Sequence, residues 1–106
     1  MQPWFYVYET VTLPIYLSRP SALVDAAEVV VSLRQGAVKQ DYRNPPYDAD
    51  AGRIILRLTQ EQTAAFKAGA VTIQVNIYHA DGRRDTSAQA RIMALDNLYK
   101  EVMPNE

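Results

Sequence analysis

The sequence predicts a mainly β protein, an antiparallel β-sandwich interrupted by one short helical crossover turn at about residues 60–68. Three observations lead to this fold class. Several segments alternate apolar and polar residues with the period of a strand, turn-forming residues separate them, and one segment carries the capping signals of a helix. A chain of 106 residues suits a single core, so we expect one domain over residues 1–106.

Period-two alternation indicates four strands. Their sequences are TVTLPIYL, EVVVSLRQ, RIILRL and VTIQVNIYH. One face of each is apolar, as expected where a sheet covers a core: Val11, Leu13, Ile15 and Leu17; Val29, Val31 and Leu33; Ile54, Leu56 and Leu58; Val71, Ile73, Val75 and Ile77. Pro14 has no backbone N–H to donate, so the first strand is predicted to lie at a sheet edge or to carry a bulge.

The remaining segments are turns, a return strand and a tail. Asp81-Gly82 predicts a hairpin turn, NPPYDADAG a loop, and SALVDAAE a turn of helix capped by Ser21. SAQARIMAL returns as a strand. Its inward residues are expected to be Ala88, Ala90 and Ile92. The apolar residues of the tail have the spacing of a short helix but equally suit a last strand: Leu95, Leu98, Tyr99 and Val102.

The segment LTQEQTAAFKAG carries the signals of one capped helical turn. Thr59 and Gln62 have the spacing of a capping box, and Gly69 is expected to end the helix in a left-handed conformation. Phe66 is its large apolar residue, so we expect Phe66 to anchor in the core while the chain crosses between the sheets. We therefore predict a loss of roughly 3–5 kcal/mol for Phe66→Ala and almost none for Gln60→Ala.

Composition and charge exclude several classes of function. The formal net charge is −1 and the pI about 5.8, so the chain lacks the basic field that holds a phosphate backbone, and we expect no nucleic-acid partner. The absence of cysteine excludes disulfides, thiolate metal sites and thiol nucleophiles. MQPWFYVYE has neither the basic flank nor the apolar run of a signal peptide or membrane span, so we expect no membrane partner.

Few side chains are candidates for chemistry. His79 is the single histidine, and the nearest acid along the chain is the turn residue Asp81, with no nucleophile beside them. DADAG resembles the start of a calcium loop, but the sixth and twelfth positions hold Arg53 and Thr59 instead of Gly and Glu. We therefore expect no metal site and no cofactor.

Three acids leave a weak enzymatic hypothesis open. Asp41, Asp48 and Asp50 could approach one another across a loop, and paired acids hydrolyse glycosides when a cleft holds them at a defined separation. Nothing in the pattern indicates a cleft or an activated nucleophile. The sequence therefore predicts no enzyme and no catalytic residue.

Outward-facing aromatic residues are the candidate binding residues. Tyrosine and tryptophan are favoured at interfaces because they bury a large area while keeping a polar group. The possible interface residues are Trp4, Tyr6, Tyr8, Tyr16 and Tyr78. The first three would share one face of an N-terminal strand, and Tyr42 and Tyr47 also look outward or lie in loops. The alternative is that Trp4 and Phe5 close one end of the core.

The order of three segments resembles that of small β-sandwich proteins encoded by phages and prophages of Gram-positive bacteria. The segments are LPIYLSRPSALVDAAEVVVSLRQGAVKQDYR, RIILRLTQEQTAAFKAGAVTIQVNIYHADGRRDTS and LDNLYKEVM. The pattern is similar to the N-terminal domain of phage upper baseplate proteins. The matching residues are Val31, Ser32, Leu33, Gln35, Leu58, Thr59, Gln60, Thr63, Phe66, Val71, Ile73, Gln74, Gly82 and Ser87. The resemblance implies an immunoglobulin-like sandwich with no catalytic residues.

The resemblance and the residue patterns together lead to one main functional hypothesis. We expect a non-catalytic phage or prophage structural or assembly protein, associated with a tail or baseplate, that acts through protein–protein contacts. Its partners would be other phage structural proteins or its own copies. It would be made in the host cytoplasm and enter the virion on assembly. We expect no receptor-binding or trimerisation segment after Glu106, in contrast to the baseplate proteins, and therefore no role in attaching receptor-binding proteins.

A binding module is the alternative hypothesis. A carbohydrate- or cell-surface-binding β-sandwich would stack aromatic side chains on sugars. It predicts a shallow groove with at least two exposed aromatic side chains beside acids such as Asp48 or Asp50.

Overall fold

The computed structural model describes residues 4–104, which form nine strands, one α-helix and one 3₁₀ helix. The strands are β1 (Trp4–Tyr6), β2 (Val11–Tyr16), β3 (Ala26–Gln35), β4 (Val38–Arg43), β5 (Tyr47–Asp48), β6 (Arg53–Leu58), β7 (Gly69–His79), β8 (Arg84–Thr86) and β9 (Ala90–Leu95). The helices are α1 (Gln60–Ala64) and the 3₁₀ helix (Pro20–Leu23). Neither described helix has the length and apolarity needed to cross a membrane.

The strands form two packed sheets. The larger has the order β1-β9-β7-β3-β4, with β8 also paired to β7, and the smaller has the order β2-β6-β5. All pairs are antiparallel except β1 and β9, which run parallel. The smaller sheet corresponds to strands B, E and D of an immunoglobulin fold, and β3, β4, β7 and β9 correspond to C, C′, F and G. The predicted mainly β, immunoglobulin-like sandwich is therefore confirmed.

Pro14 lies in β2 at the free edge of the smaller sheet, as predicted. The N–H of Leu17 donates to the Gly52 carbonyl at 2.9 Å on the β6 side. Because residues of an antiparallel strand alternate in direction, Pro14 turns its nitrogen away from β6, where no ladder hydrogen bond is needed.

The core lies between the sheets and is made by the predicted apolar faces. All the inward residues predicted for the four alternating strands are buried, apart from Leu17, which is half-buried against the core. The prediction for the return strand was wrong in part, because Ala88 and Ala90 are exposed and Ile92 is buried. Ala90 pairs with Ile73, but a cleft that Ile15 also lines leaves it open to solvent.

Helix α1 forms the corner where the chain leaves β6 in the smaller sheet and enters β7 in the larger one. The capping box is present: the Gln62 N–H donates to the Thr59 hydroxyl at 3.3 Å, and the Thr59 N–H donates to Gln62 Oε1 at 2.8 Å. Phe66 is buried and meets the ring of Phe5 edge-on, with 6.1 Å between ring centroids. The predicted core anchor of the corner is confirmed.

The helix is shorter than the predicted 60–68. It ends at Ala64, and its C-cap residue Ala65 has a right-handed backbone, so Gly69 does not cap it. Gly69 instead begins β7 with φ +138°, a conformation that side chains rarely adopt. Position 69 therefore does need a glycine, but at the start of β7 and not at the end of α1.

Strand β4 had no counterpart among the sequence predictions. Gly36, at φ +57°, forms the tight turn that brings β4 back along β3. The signal that could have revealed this strand is a second alternation, in which Val38 and Tyr42 pack partly on the core and Lys39 and Asp41 face solvent.

Two further local predictions need correction. Ser21 lies inside the 3₁₀ helix rather than capping it, since the N-cap position is held by Arg19. The tail is neither of the predicted alternatives: after Leu95 ends β9, residues 96–104 form no helix or strand, and the side chains of Leu98, Tyr99 and Val102 are exposed. Apolar spacing misled here because these side chains have no core to face.

Candidate functional site: an aromatic sheet edge

Three large apolar side chains lie together at one edge of the larger sheet. Trp4 and Tyr6 project from β1 and are 46% and 44% exposed, and Met93 of β9 is 45% exposed. The register pairs Trp4 directly with Met93. We call Trp4, Tyr6 and Met93 the aromatic edge.

The backbone beneath the aromatic edge is fixed by the core. Phe5 points the other way from its two neighbours and is fully buried, and Val7 is buried behind it. The N–H of Val7 donates to the Leu95 carbonyl at 2.9 Å, which continues the pairing of β1 with β9. Of the two residues considered for closing the core, Phe5 therefore does so, whereas Trp4 faces solvent.

Tyr8 does not share the face of Trp4 and Tyr6, contrary to the prediction. It follows the end of β1 with a left-handed φ of +67°, and this reversal turns its half-buried side chain against the core. The alternation of the sequence extends past the point where the strand stops.

Tyr16 and Tyr78 are exposed but lie elsewhere on the molecule. Tyr16, 57% exposed, is on β2 of the smaller sheet. Tyr78, 41% exposed, lies near the end of β7, where the guanidinium carbon of Arg84 sits 5.4 Å from the centre of its ring. Among the predicted interface residues, the structure thus brings together Trp4 and Tyr6.

The tail extends the apolar surface next to Tyr6. Leu98 is fully exposed and lines the same hollow as Tyr6. The side-chain amide of Asn97 donates to the Val7 carbonyl at 3.1 Å, which holds the start of the tail beside β1. This hollow could not be found from the sequence, because it depends on a contact between the two ends of the chain.

His79 is buried at the end of β7, as its place in the inward row predicted. Its partner is Asp85, at 2.9 Å from Nε2, and not the turn acid Asp81. Asp85 also lies 3.8 Å from the guanidinium of Arg19. Nδ1 of His79 has no partner among the described residues, an arrangement that suits the tautomer with its proton on Nε2, donating to Asp85.

Asp81 belongs instead to the hairpin turn that the sequence predicted. Its carboxylate accepts from the backbone N–H and the guanidinium of Arg83, and these bonds lower the pKa of Asp81. The same ion pair raises the pKa of Arg83. Both residues are exposed, and their ion pair lies at the tip of the hairpin.

The structure separates Asp41 from the other two acids of the enzymatic hypothesis. Asp41 lies on β4 of the larger sheet and accepts a 2.6 Å hydrogen bond from Ser32. Asp48 lies on β5 of the smaller sheet, where it accepts from the backbone N–H groups of Asp50 and Ala51. Asp48 therefore organises the turn that follows it.

Five concavities formed by residues 4–104 lack the features that the carbohydrate alternative requires. None of these five concavities contains two aromatic side chains, and none includes Asp48 or Asp50. Within the same described range, no three His, Asp or Glu side chains are grouped so that they could hold a metal ion.

Comparison with known proteins gives no match. No family model, no curated protein and no solved structure is significantly similar to this chain.

Proposed function

We propose that this chain is a non-catalytic structural or assembly protein of a phage or prophage particle, associated with the tail or baseplate, that works through protein–protein contacts. The sequence resemblance supports the assignment to a phage particle. The aromatic edge is the observation that supports a contact function. The chain is made in the host cytoplasm and enters the virion when its partners assemble.

The composition of the aromatic edge suits an interface. Trp, Tyr and Met are enriched where proteins bind one another, and a few such residues usually carry most of the binding energy. Trp4 and Tyr6 each keep a polar group at the rim of an otherwise apolar ring, so they remain compatible with water before the partner arrives. The hollow between Tyr6 and Leu98 gives a partner a place to insert a side chain.

The rigidity of the backbone adds to the affinity. Because Phe5 is locked in the core between Trp4 and Tyr6, neither ring needs its backbone to become ordered on binding. Association therefore loses less conformational entropy than it would with a flexible arm.

The test is binding to purified structural proteins encoded next to this chain in its genome, measured by calorimetry. Trp4→Ser and Tyr6→Ser should each raise the Kd by about tenfold or more, as expected for central interface aromatics. Tyr47→Ser is the matched control, because Tyr47 is exposed to a similar extent, 40%, but lies on the smaller sheet.

Two results would count against the proposal. One is the absence of binding to any neighbouring gene product, together with absence of the chain from purified particles. The other is an equal loss of binding in Tyr47→Ser, which would place the contact away from the aromatic edge.

A further inference from the structure

Strand β4 differs from the other sheet edges of the described chain. It has no neighbour beyond it in the larger sheet, and it extends for six residues without a proline. The other edge strands are short or interrupted: β1 and β8 have three residues each, β5 has two, and β2 contains Pro14. Shortness and proline are ordinary ways of preventing strands from pairing between molecules, and β4 has neither.

The backbone groups of β4 that face outward can be identified. Asn44 donates its N–H to the Val29 carbonyl of β3 at 2.6 Å. The backbone N–H and C=O groups of every second residue counted back from Asn44 therefore face β3. By alternation, the N–H and C=O groups of Lys39, Asp41 and Arg43 point to the free edge. These are the groups that a further strand would bond.

The side chains of β4 form a pattern that is complementary to itself. If a second β4 runs antiparallel and Gln40 lies opposite Gln40, then Lys39 lies opposite Asp41 and Val38 opposite Tyr42, each pair occurring twice. Opposite charges and an aromatic–β-branched pair are both stabilising across strands. Lys39 and Asp41 are solvent-facing, whereas Val38 and Tyr42 lie half-buried on the core side.

We propose that two copies of this chain associate through antiparallel pairing of their β4 strands, centred on Gln40, to give one continuous sheet across a twofold axis. The charge complementarity of Lys39 and Asp41 identifies a second copy of the chain as the partner of this edge. The inference deepens the proposed function, since it names one partner of a contact protein, but it concerns a different surface from the aromatic edge.

The positions of the neighbouring side chains favour this register. Asp41 is oriented by its hydrogen bond from Ser32, with its second oxygen 3.8 Å from Lys39 Nζ, so the charged row is ordered before pairing. Arg43 is already held by Glu28 at 2.6 Å and would face the uncharged Ala37.

Other registers are less favourable. An axis at Asp41 would place Asp41 opposite Asp41 and Lys39 opposite Arg43, which repel. A twofold axis at Tyr42 would pair Asp41 with Arg43, but β4 ends at Arg43, so fewer residues would pair. The axis at Gln40 therefore gives the longest pairing without a like-charge contact.

The test is sedimentation equilibrium of the purified chain over a concentration series. The wild type should form a dimer, and Lys39→Asp or Asp41→Lys alone should raise its Kd by about tenfold or more, because each puts two like-charge contacts into the interface. The exchanged variant carrying both substitutions should recover the wild-type Kd to within about threefold. Arg57→Glu, a charge reversal at an exposed position on β6 of the smaller sheet, is the control and should leave the Kd unchanged.

Folding of each variant is checked by its thermal melt, and Lys39→Asp is the safer single change because Lys39 is mostly exposed. As a second measurement, hydrogen exchange at the amides of Lys39 and Asp41 should slow as the concentration rises, while that of Gln40 should not. A wild-type chain that is monomeric up to ~1 mM overturns the proposal. So does a double variant no better than the single ones, or a dimer that Arg57→Glu disrupts.

Failure here and failure of the proposed function can be told apart. Lys39→Asp leaves Trp4 and Tyr6 untouched, so binding to neighbouring structural proteins should persist in the monomeric variant. Conversely, Trp4→Ser should still dimerise.

Discussion

The side chain of Gln60 pairs with the backbone of Met103 by two hydrogen bonds. The Met103 N–H donates to Oε1 at 2.8 Å, and Nε2 donates to the Met103 carbonyl at 3.0 Å. Gln60 is 7% exposed, whereas the side chain of Met103 faces solvent. The corner helix therefore holds the tail by polar contacts that do not depend on which side chain stands at position 103.

Gln60→Ala should lower the free energy of unfolding by about 1–2 kcal/mol, because it removes two hydrogen bonds and leaves space at a buried site. This replaces the expectation of an almost silent substitution. Urea denaturation measures the loss, and hydrogen exchange should show the Met103 amide unprotected. Gln89→Ala, at an exposed position, is the control. Equal stability of the two variants would show that the tail contact contributes nothing.

Phe66→Ala should lower the free energy of unfolding by roughly 3–5 kcal/mol, because it opens a cavity against Phe5 at the corner between the sheets. Phe66→Leu keeps most of the volume and should lose about 1 kcal/mol. Chemical denaturation of the three proteins gives the ranking. A wild-type-like melt for Phe66→Ala would contradict the role of this ring as the anchor of the corner.

The sequence was sufficient for the parts of the fold that depend on local pattern. Alternation located the inward rows of β2, β3, β6 and β7, and the spacing of Thr59 and Gln62 located the start of α1. These predictions succeeded because they depend only on residues that are close together in the sequence. The same logic failed at Tyr8, which follows the end of β1, and at Ala90, which lies beside a cleft.

Contacts between distant parts of the chain could not be predicted from the sequence. Gln60 contacts Met103, 43 positions away in the sequence, and Asn97 contacts Val7, 90 positions away.

Asp85 was overlooked as the partner of His79 because Asp81 is nearer along the chain, although the hairpin brings the more distant acid closer in space. Exposure of Trp4 and Tyr6 could be predicted, but their pairing with Met93 needed the parallel register of β1 and β9.

Asp85→Ala should lower the free energy of unfolding by about 1–3 kcal/mol, since it leaves Nε2 of the buried His79 without its partner. Asp81→Ala is the matched change at the same hairpin. It removes an exposed ion pair with Arg83, so its effect should be much smaller. Urea denaturation at neutral pH compares the two. If Asp81→Ala proved the more damaging, the hydrogen bond to His79 would not be what holds this end of β7.

Tyr42→Phe should make the protein less sensitive to alkaline pH. Burial raises the pKa of Tyr42 from 10.0 to about 12, and its hydroxyl has no partner among the described residues. Because the folded chain holds this proton more tightly than the unfolded chain, the stabilisation is complete below pH 10 and is lost as the pH rises towards 12. Urea denaturation from pH 8 upward should therefore show a smaller decline in the free energy of unfolding for Tyr42→Phe than for the wild type. At neutral pH the variant should be as stable as the wild type, since no hydrogen bond is removed.

Tyr47→Phe, at an exposed tyrosine, should follow the wild type throughout. Parallel declines for all three proteins would mean that Tyr42 titrates like an exposed tyrosine and that β4 does not shield it.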